Sequence, residues 1–198
     1  MHPSPAYGWN RASALAFIAD YAFAHVFAVT PEGPRVVHVP VLVVGECLRF
    51  HLANSNALTP HIAEVRVLAS VGGPGHYVSP NWYVDGRQRV PTWNYVAVEC
   101  EGLVRRMSDD ELVALLDASS AEFEPRVGQD WSRAKMDPAR FTTMTRAITG
   151  FELRIEALRA TRKLSQDKPE ADVRGVVAGL RASGQDSAAA ELEHARGW

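Results

Sequence analysis

Residues 71–99 read VGGPGHYVSPNWYVDGRQRVPTWNYVAVE. Two clusters stand out, Ser79-Pro80-Asn81-Trp82-Tyr83 and Pro91-Thr92-Trp93-Asn94-Tyr95. The stretch is too rich in Pro and Gly for a helix and too aromatic for a disordered linker. Each cluster sets hydroxyl and amide groups beside flat apolar surface. That suits a planar ligand with a polar edge, and equally a loop pinned into a core by aromatic anchors.

The flanks of this stretch are strands. Val65 to Val71 (VRVLASV) leads in, and Asn94 to Met107 leads out with Val96, Val98 and Cys100 at alternate positions on one face. Upstream, Met1 to Gly8 reads as an extended arm with Pro3 and Pro5. Asn10 is placed to cap a helix from Arg11 to about Phe23. Strands are expected at His25–Thr30, Arg35–Val44 and Cys47–Leu52, the last two joined by a tight Gly45-Glu46 turn. In the third, Leu48, Phe50 and Leu52 alternate with Arg49 and His51, so one face is core and the other offers Arg49 and His51 to a ligand or to water. His38 and His51 fall on neighbouring strands of this hairpin as cross-strand candidates. Ala53-Asn54-Ser55-Asn56 then precedes an expected short helix, 57–64. Small polar residues at such a junction are either an ordinary cap or an anion seat built from free N–H groups and the helix dipole.

Downstream, Ser108 and Glu111 form a capping box before LVALLDAS, which predicts a helix over 109–121. Residues 122–134 read as loop, and Asp137-Pro138 opens another short helix. TGFELRIEALRA (149–160) alternates like a half-exposed strand. A helix follows over 170–183, Gly184 breaks it, and an Ala-rich helix ends the chain. Short strands with hairpin-like connections predict a mainly β, α+β fold: an antiparallel split barrel with flanking helices and a C-terminal helical tail. The expected division is a barrel domain at 1–165 and a helical extension at 166–198, packing on the barrel or on a dimer partner.

Composition narrows the function classes. The chain has 198 residues, 46% apolar and 22% charged, which is that of an ordinary globular protein able to bury a core. A net charge of -2 provides no global field for nucleic acid. Cys47 and Cys100 are far apart without zinc spacing, and read as small apolar strand residues in a reducing compartment. With no apolar run of spanning length and no signal-like segment, a cytoplasmic location is expected, with no membrane partner. No nucleophile–base pair, metal motif or phosphate loop is present in the sequence, so no catalytic residue and no metal site is nominated. Any enzymatic chemistry falls to a cofactor.

Four motifs, GPGHYVSPNWY, VPTWNYVAVECEG, HLANSN and KLSQDKP, resemble in order and spacing the PaiB-like FMN-binding negative transcriptional regulators. The resemblance covers nearly the whole chain. It implies an FMN-binding split barrel related to pyridoxamine-phosphate-oxidase-like flavoproteins, homodimeric, with flavin where the subunits meet. It places Ser79, Asn81, Trp82, Thr92, Trp93 and Asn94 near the flavin, and His38 and His51 where the family also has His. Lys163, Ser165 and Gln166 fall in a motif that closes the pocket, Lys163 supplying positive charge for a phosphate or the flavin's electron-rich edge. Asn54, Ser55 and Asn56 fall in the HLANSN motif and are counted with the expected cofactor-binding residues.

Two departures matter. The family's HLARANP is HLANSNA here, so an Arg is replaced by Asn54 and a Pro by Ala57. The family's GPHAY is GPGHY, which displaces the His by one position to the other face of a strand. Three functions follow: a homodimeric FMN-binding transcriptional regulator, an FMN-dependent oxidoreductase or flavin reductase, or a barrel that has lost FMN and holds another planar ligand such as a haem product. DNA binding is implied by the resemblance but not supported by the net charge.

Overall fold

The computed structural model describes residues 4–198; Pro3 of the expected arm lies outside them. The order is α1 (Arg11–Tyr21), β1 (Phe23–Thr30), β2 (Gly33–Pro40), β3 (Leu42–Val44), β4 (Cys47–Ala53), β5 (Arg66–Val78) and β6 (Thr92–Arg106). Then come α2 (Asp109–Phe123), α3 (Pro138–Thr145), β7 (Ile148–Arg154), β8 (Ala157–Lys163), α4 (Glu170–Ala182) and α5 (Asp186–Arg196). The strands form one sheet in the order β2-β1-β5-β6-β7-β4-β3, with β8 beside this path on β6. The sheet is antiparallel, as expected, and is not closed: β2 and β3 end the path.

The chain divides into two compact units. The first comprises the start of the chain to Ala14, Gly72–Val98 and Arg159–Trp198; the second comprises Leu15–Val71 and Glu99–Leu158. In the second unit β4 pairs with β7 and alternates buried and half-buried residues. Leu48, Phe50 and Leu52 are buried with Phe151 and Leu153 of β7, and Phe50 pairs with Phe151 in register, rings 5.9 Å apart. On the opposite face of β4, Arg49 is consumed by Glu152 at 2.6 Å, which also takes Arg105 at 2.8 Å. Arg105 continues to Glu111 at 2.7 Å, and Glu111 closes the expected capping box with Ser108. Arg49 therefore faces a structural ion network.

Several expectations need correction. The arm's residues Pro5–Tyr7 form a 3₁₀ turn instead of extended chain. Arg35–Val44 is broken at Val41, whose N–H is donated to Ala22 O at 2.9 Å, and so becomes β2 and β3. The helix expected over 57–64 is a series of turns. Leu58 and Ile62 are fully buried at helical spacing, but Pro60 and the left-handed Glu64 (φ 60) stop a helix between and beyond them. The single strand 149–160 divides at Ile155, and the helix at α2 runs two residues beyond Ala121. His38 and His51 are not cross-strand neighbours. His38 pairs with His25 of β1, rings edge-to-face at 4.6 Å, while His51 sits opposite Gly150 of β7.

In the first unit the buried set includes Val78, Val96 and Val98 with Val173, Val176, Val177 and Leu180 of α4 and Leu192 of α5. His76 belongs to it, at 2% exposure, with neither ring nitrogen hydrogen-bonded among the described residues. Burial holds His76, and likewise His51, below the ordinary imidazole value of 6.5. The unfolded chain takes up protons near that value while the folded one resists. Stability is therefore full above pH 6.5 and falls as the pH drops through it, by up to about 1.4 kcal/mol per pH unit for His76. Urea midpoints measured from pH 7.5 to 5.5 should fall, and a His76→Leu variant should show a shallower fall.

Candidate functional site

A cavity of about 260 Å³ opens in the first unit. Its floor is the start of β6, where Thr92 and Asn94 point the same way because strand side chains repeat every two residues. Trp93 between them points away, is 57% exposed and meets Tyr77 edge-to-face at 6.2 Å. Opposite lies the end of β8 and the turn beyond it, which supply Lys163, Ser165, Asp167 and Lys168. Asn94 is 1% exposed, and its Nδ2 donates to Ser165 Oγ at 3.0 Å. Lys163 Nζ donates to Thr92 Oγ1 at 2.5 Å and lies 5.9 Å from the centre of the Tyr7 ring. It makes no ion pair among the described residues.

The remaining charges of the cavity are matched. Lys168 pairs with Asp167 at 2.6 Å. Burial raises the Asp167 carboxyl, but hydrogen bonds from Lys168 and Tyr7 prevail and hold it below its ordinary value. Tyr7 responds in the other direction: burial, then the Asp167 bond, push its hydroxyl up to about 12, so it stays a neutral donor. Arg89 reaches Asp172 of α4 at 3.4 Å and lies over the Tyr83 ring. Among the described residues Lys163 is the cavity cation that forms no ion pair with a carboxylate, in a recess of hydroxyl and amide donors. That arrangement takes an anionic or electron-rich acceptor edge.

Gln166 acts through backbone: its Oε1 accepts from Leu164 N–H at 2.7 Å, and its Nε2 donates to Ala6 O and Arg162 O. Ser79 caps the 3₁₀ turn Pro80–Trp82 by accepting from Asn81 N–H at 3.3 Å, and Asn81 is exposed. Trp82 is the seat of α4, whose Gly175 and Gly179 lie directly on it. Of the residues marked in the sequence, the cavity thus gathers Thr92, Asn94, Lys163 and Ser165. The sequence reading missed Tyr7, Tyr83, Arg89, Asp167 and Lys168; the last two stand in the same KLSQDKP motif and could have been read from it.

His38, His51, Asn54, Ser55 and Asn56 belong to the second unit. Both ends of the Asn54 side chain are engaged, Nδ2 with Arg146 O and Oδ1 with Thr149 Oγ1, each at 2.7 Å. Asn56 Oδ1 accepts from Leu58 N–H at 2.9 Å. Since turns follow instead of a helix, the loop has no helix dipole to offer an anion. Asn54 also lines a separate cleft of about 500 Å³ in that unit, where Arg106 and Arg146 face Asp109 and Asp110.

Comparison with known proteins now bears on this geometry. The model described as "Putative FMN-binding domain" matches residues 1–157. The chain belongs to this FMN-binding family. Membership assigns it a flavin cofactor. It is 33% identical over 182 residues to the protease synthase and sporulation protein PAI 2 of Bacillus subtilis, covering 87% of this chain and 82% of that protein. Among solved structures it resembles the FAD and haem binding protein from Mycobacterium smegmatis, with a TM-score of 0.60 at 16% identity over 83% of this chain and 77% of that one. The flavocytochrome Anf3 from Azotobacter vinelandii gives 0.61 at 17% identity, covering 81% and 75%. At these identities the two structures show that the FMN-binding family member shares their fold.

Proposed function

We propose that this chain is a homodimeric FMN-binding protein of the PaiB-like regulatory type, and that Thr92, Asn94, Lys163 and Ser165 hold the polar edge of the flavin. The observation that carries this reading is the Lys163 ammonium, which makes no ion pair among the described residues, beside Thr92 and the buried Asn94–Ser165 pair. The donor set fits: a flavin's pyrimidine edge is a row of carbonyl and ring-nitrogen acceptors, and ammonium, amide and hydroxyl groups complement it. A cavity of about 260 Å³ takes that edge and not the whole cofactor. The regulatory part rests on the relationship to PAI 2, a sporulation protein by name. With a net charge of -2, regulation by direct DNA contact has no electrostatic support.

Titration of the purified protein with FMN, followed by gel filtration, tests the reading. Co-elution of flavin absorbance with a dimer-sized peak is expected. A colourless peak, or a monomer that carries flavin, overturns the corresponding half. An NAD(P)H oxidation assay on the loaded protein, set against a salt-dependent DNA-binding assay, then separates the oxidoreductase from the regulator.

A further inference from the structure

The family match ends at residue 157, yet Lys163, Ser165, Asp167 and Lys168 of the cavity lie beyond it. Something must hold this segment in shape. Ser165 has a left-handed backbone, φ 58, which a residue with a Cβ adopts only where its surroundings enforce it. The turn it opens is closed by Lys168 N–H donating to Ser165 O at 3.0 Å. From the last turn of α5, Arg196 Nη2 donates to both ends of that turn, to Ser165 O at 3.2 Å and to Lys168 O at 2.6 Å. Its Nε is buried without a partner among the described residues, so the guanidinium is kept there against a desolvation cost.

We propose that Arg196 is a positioning residue for the ligand cavity. By clamping the carbonyls of Ser165 and Lys168 it fixes the left-handed serine, and so the Ser165 hydroxyl that meets Asn94. The C-terminal helix thereby becomes part of the binding site although none of its residues lines the cavity. The ligand named here rests on the flavin reading above; the clamp itself does not.

The test uses the full chain and two leucine variants. Arg196→Leu removes the clamp, whereas Arg181→Leu removes the α4–α5 ion pair of Arg181 with Glu193, 2.8 Å long, which involves neither carbonyl of the turn. In ligand-free protein, hydrogen exchange at the Lys168 amide should be at least about tenfold faster in Arg196→Leu, since a hydrogen bond from a charged donor is worth at least that factor. FMN affinity should fall by about the same factor, added guanidinium ion should restore part of it, and Arg181→Leu should change neither readout. Unchanged exchange at Lys168 in Arg196→Leu, or equal loss in both variants, overturns the proposal. A wild-type chain that takes up no FMN defeats the flavin reading alone, because the exchange measurement still decides the clamp.

Discussion

Gly175→Ala is expected to destabilise the protein by about 2–3 kcal/mol, the upper part of the range for forcing atoms into a filled core. Helix propensity alone predicts the opposite sign, since Ala exceeds Gly by about 1 kcal/mol inside a helix. The clash decides. A Cβ on Gly175 falls 2.0 Å from the carbonyl oxygen of Trp82, and a carbonyl cannot rotate out of the way. The turn that carries it is fixed at both ends: Trp82 N–H is donated to Ser79 O at 3.1 Å, and Val84 N–H to Asp172 on α4 at 3.0 Å. The helix must therefore shift, and with it the buried row Val173, Val176, Val177 and Leu180. At this chain length the loss corresponds to a fall in Tm of about 5–10 °C, read by circular dichroism. Gly179→Ala meets the Trp82 indole at 2.3 Å, a side chain that can swing, so its loss should be smaller. A raised Tm for Gly175→Ala would show that α4 does not sit on Trp82.

That docking also shows where sequence reading reaches and where it stops. Alternation exposed the buried faces of β4 and β6, and the Ser108–Glu111 box and Gly184 marked helix ends, because each signal lies within a few residues. Trp82 was legible as special, but not its partner, since Gly175 and Gly179 stand some ninety residues away and a glycine in a helix carries no signal of what lies on it. The turns at 57–64 misled for a related reason. Leu58 and Ile62 are spaced like one helix face but are buried as separate anchors. In the site, Thr92, Asn94, Lys163 and Ser165 were named from motifs, and the structure brings these four together. Which of their neighbours point with them was set by strand phase and by the left-handed Ser165, and Arg196 left no trace in any motif. His76, displaced by one position from the family pattern, is buried in the core.

Lys163→Met should weaken FMN binding about thirtyfold, the equivalent of about 2 kcal/mol for a charge-assisted hydrogen bond, while leaving the ligand-free fold at least as stable. The two halves of this expectation come from one fact. The Lys163 ammonium is half-buried, has a hydroxyl and a ring face near it, and makes no ion pair with a carboxylate among the described residues. Held there without a ligand, it costs desolvation that Thr92 Oγ1 only partly offsets. Methionine nearly keeps the length of the side chain and fills the same space without a charge, so the apoprotein gives up the Thr92 hydrogen bond and the Tyr7 ring contact and is relieved of one half-buried cation. The ligand, in contrast, loses the donor that recognises its electron-rich edge. Thr92→Val separates this from simple loss of packing: it frees the ammonium from its hydroxyl partner without removing the charge, and should weaken FMN by no more than about fivefold, as for a neutral hydrogen bond. Fluorescence titration with FMN gives the affinities, and thermal unfolding without ligand gives the stabilities. Equal affinities for wild type and Lys163→Met would remove Lys163 from the site, and a Tm that falls with the affinity would recast it as a residue of the fold.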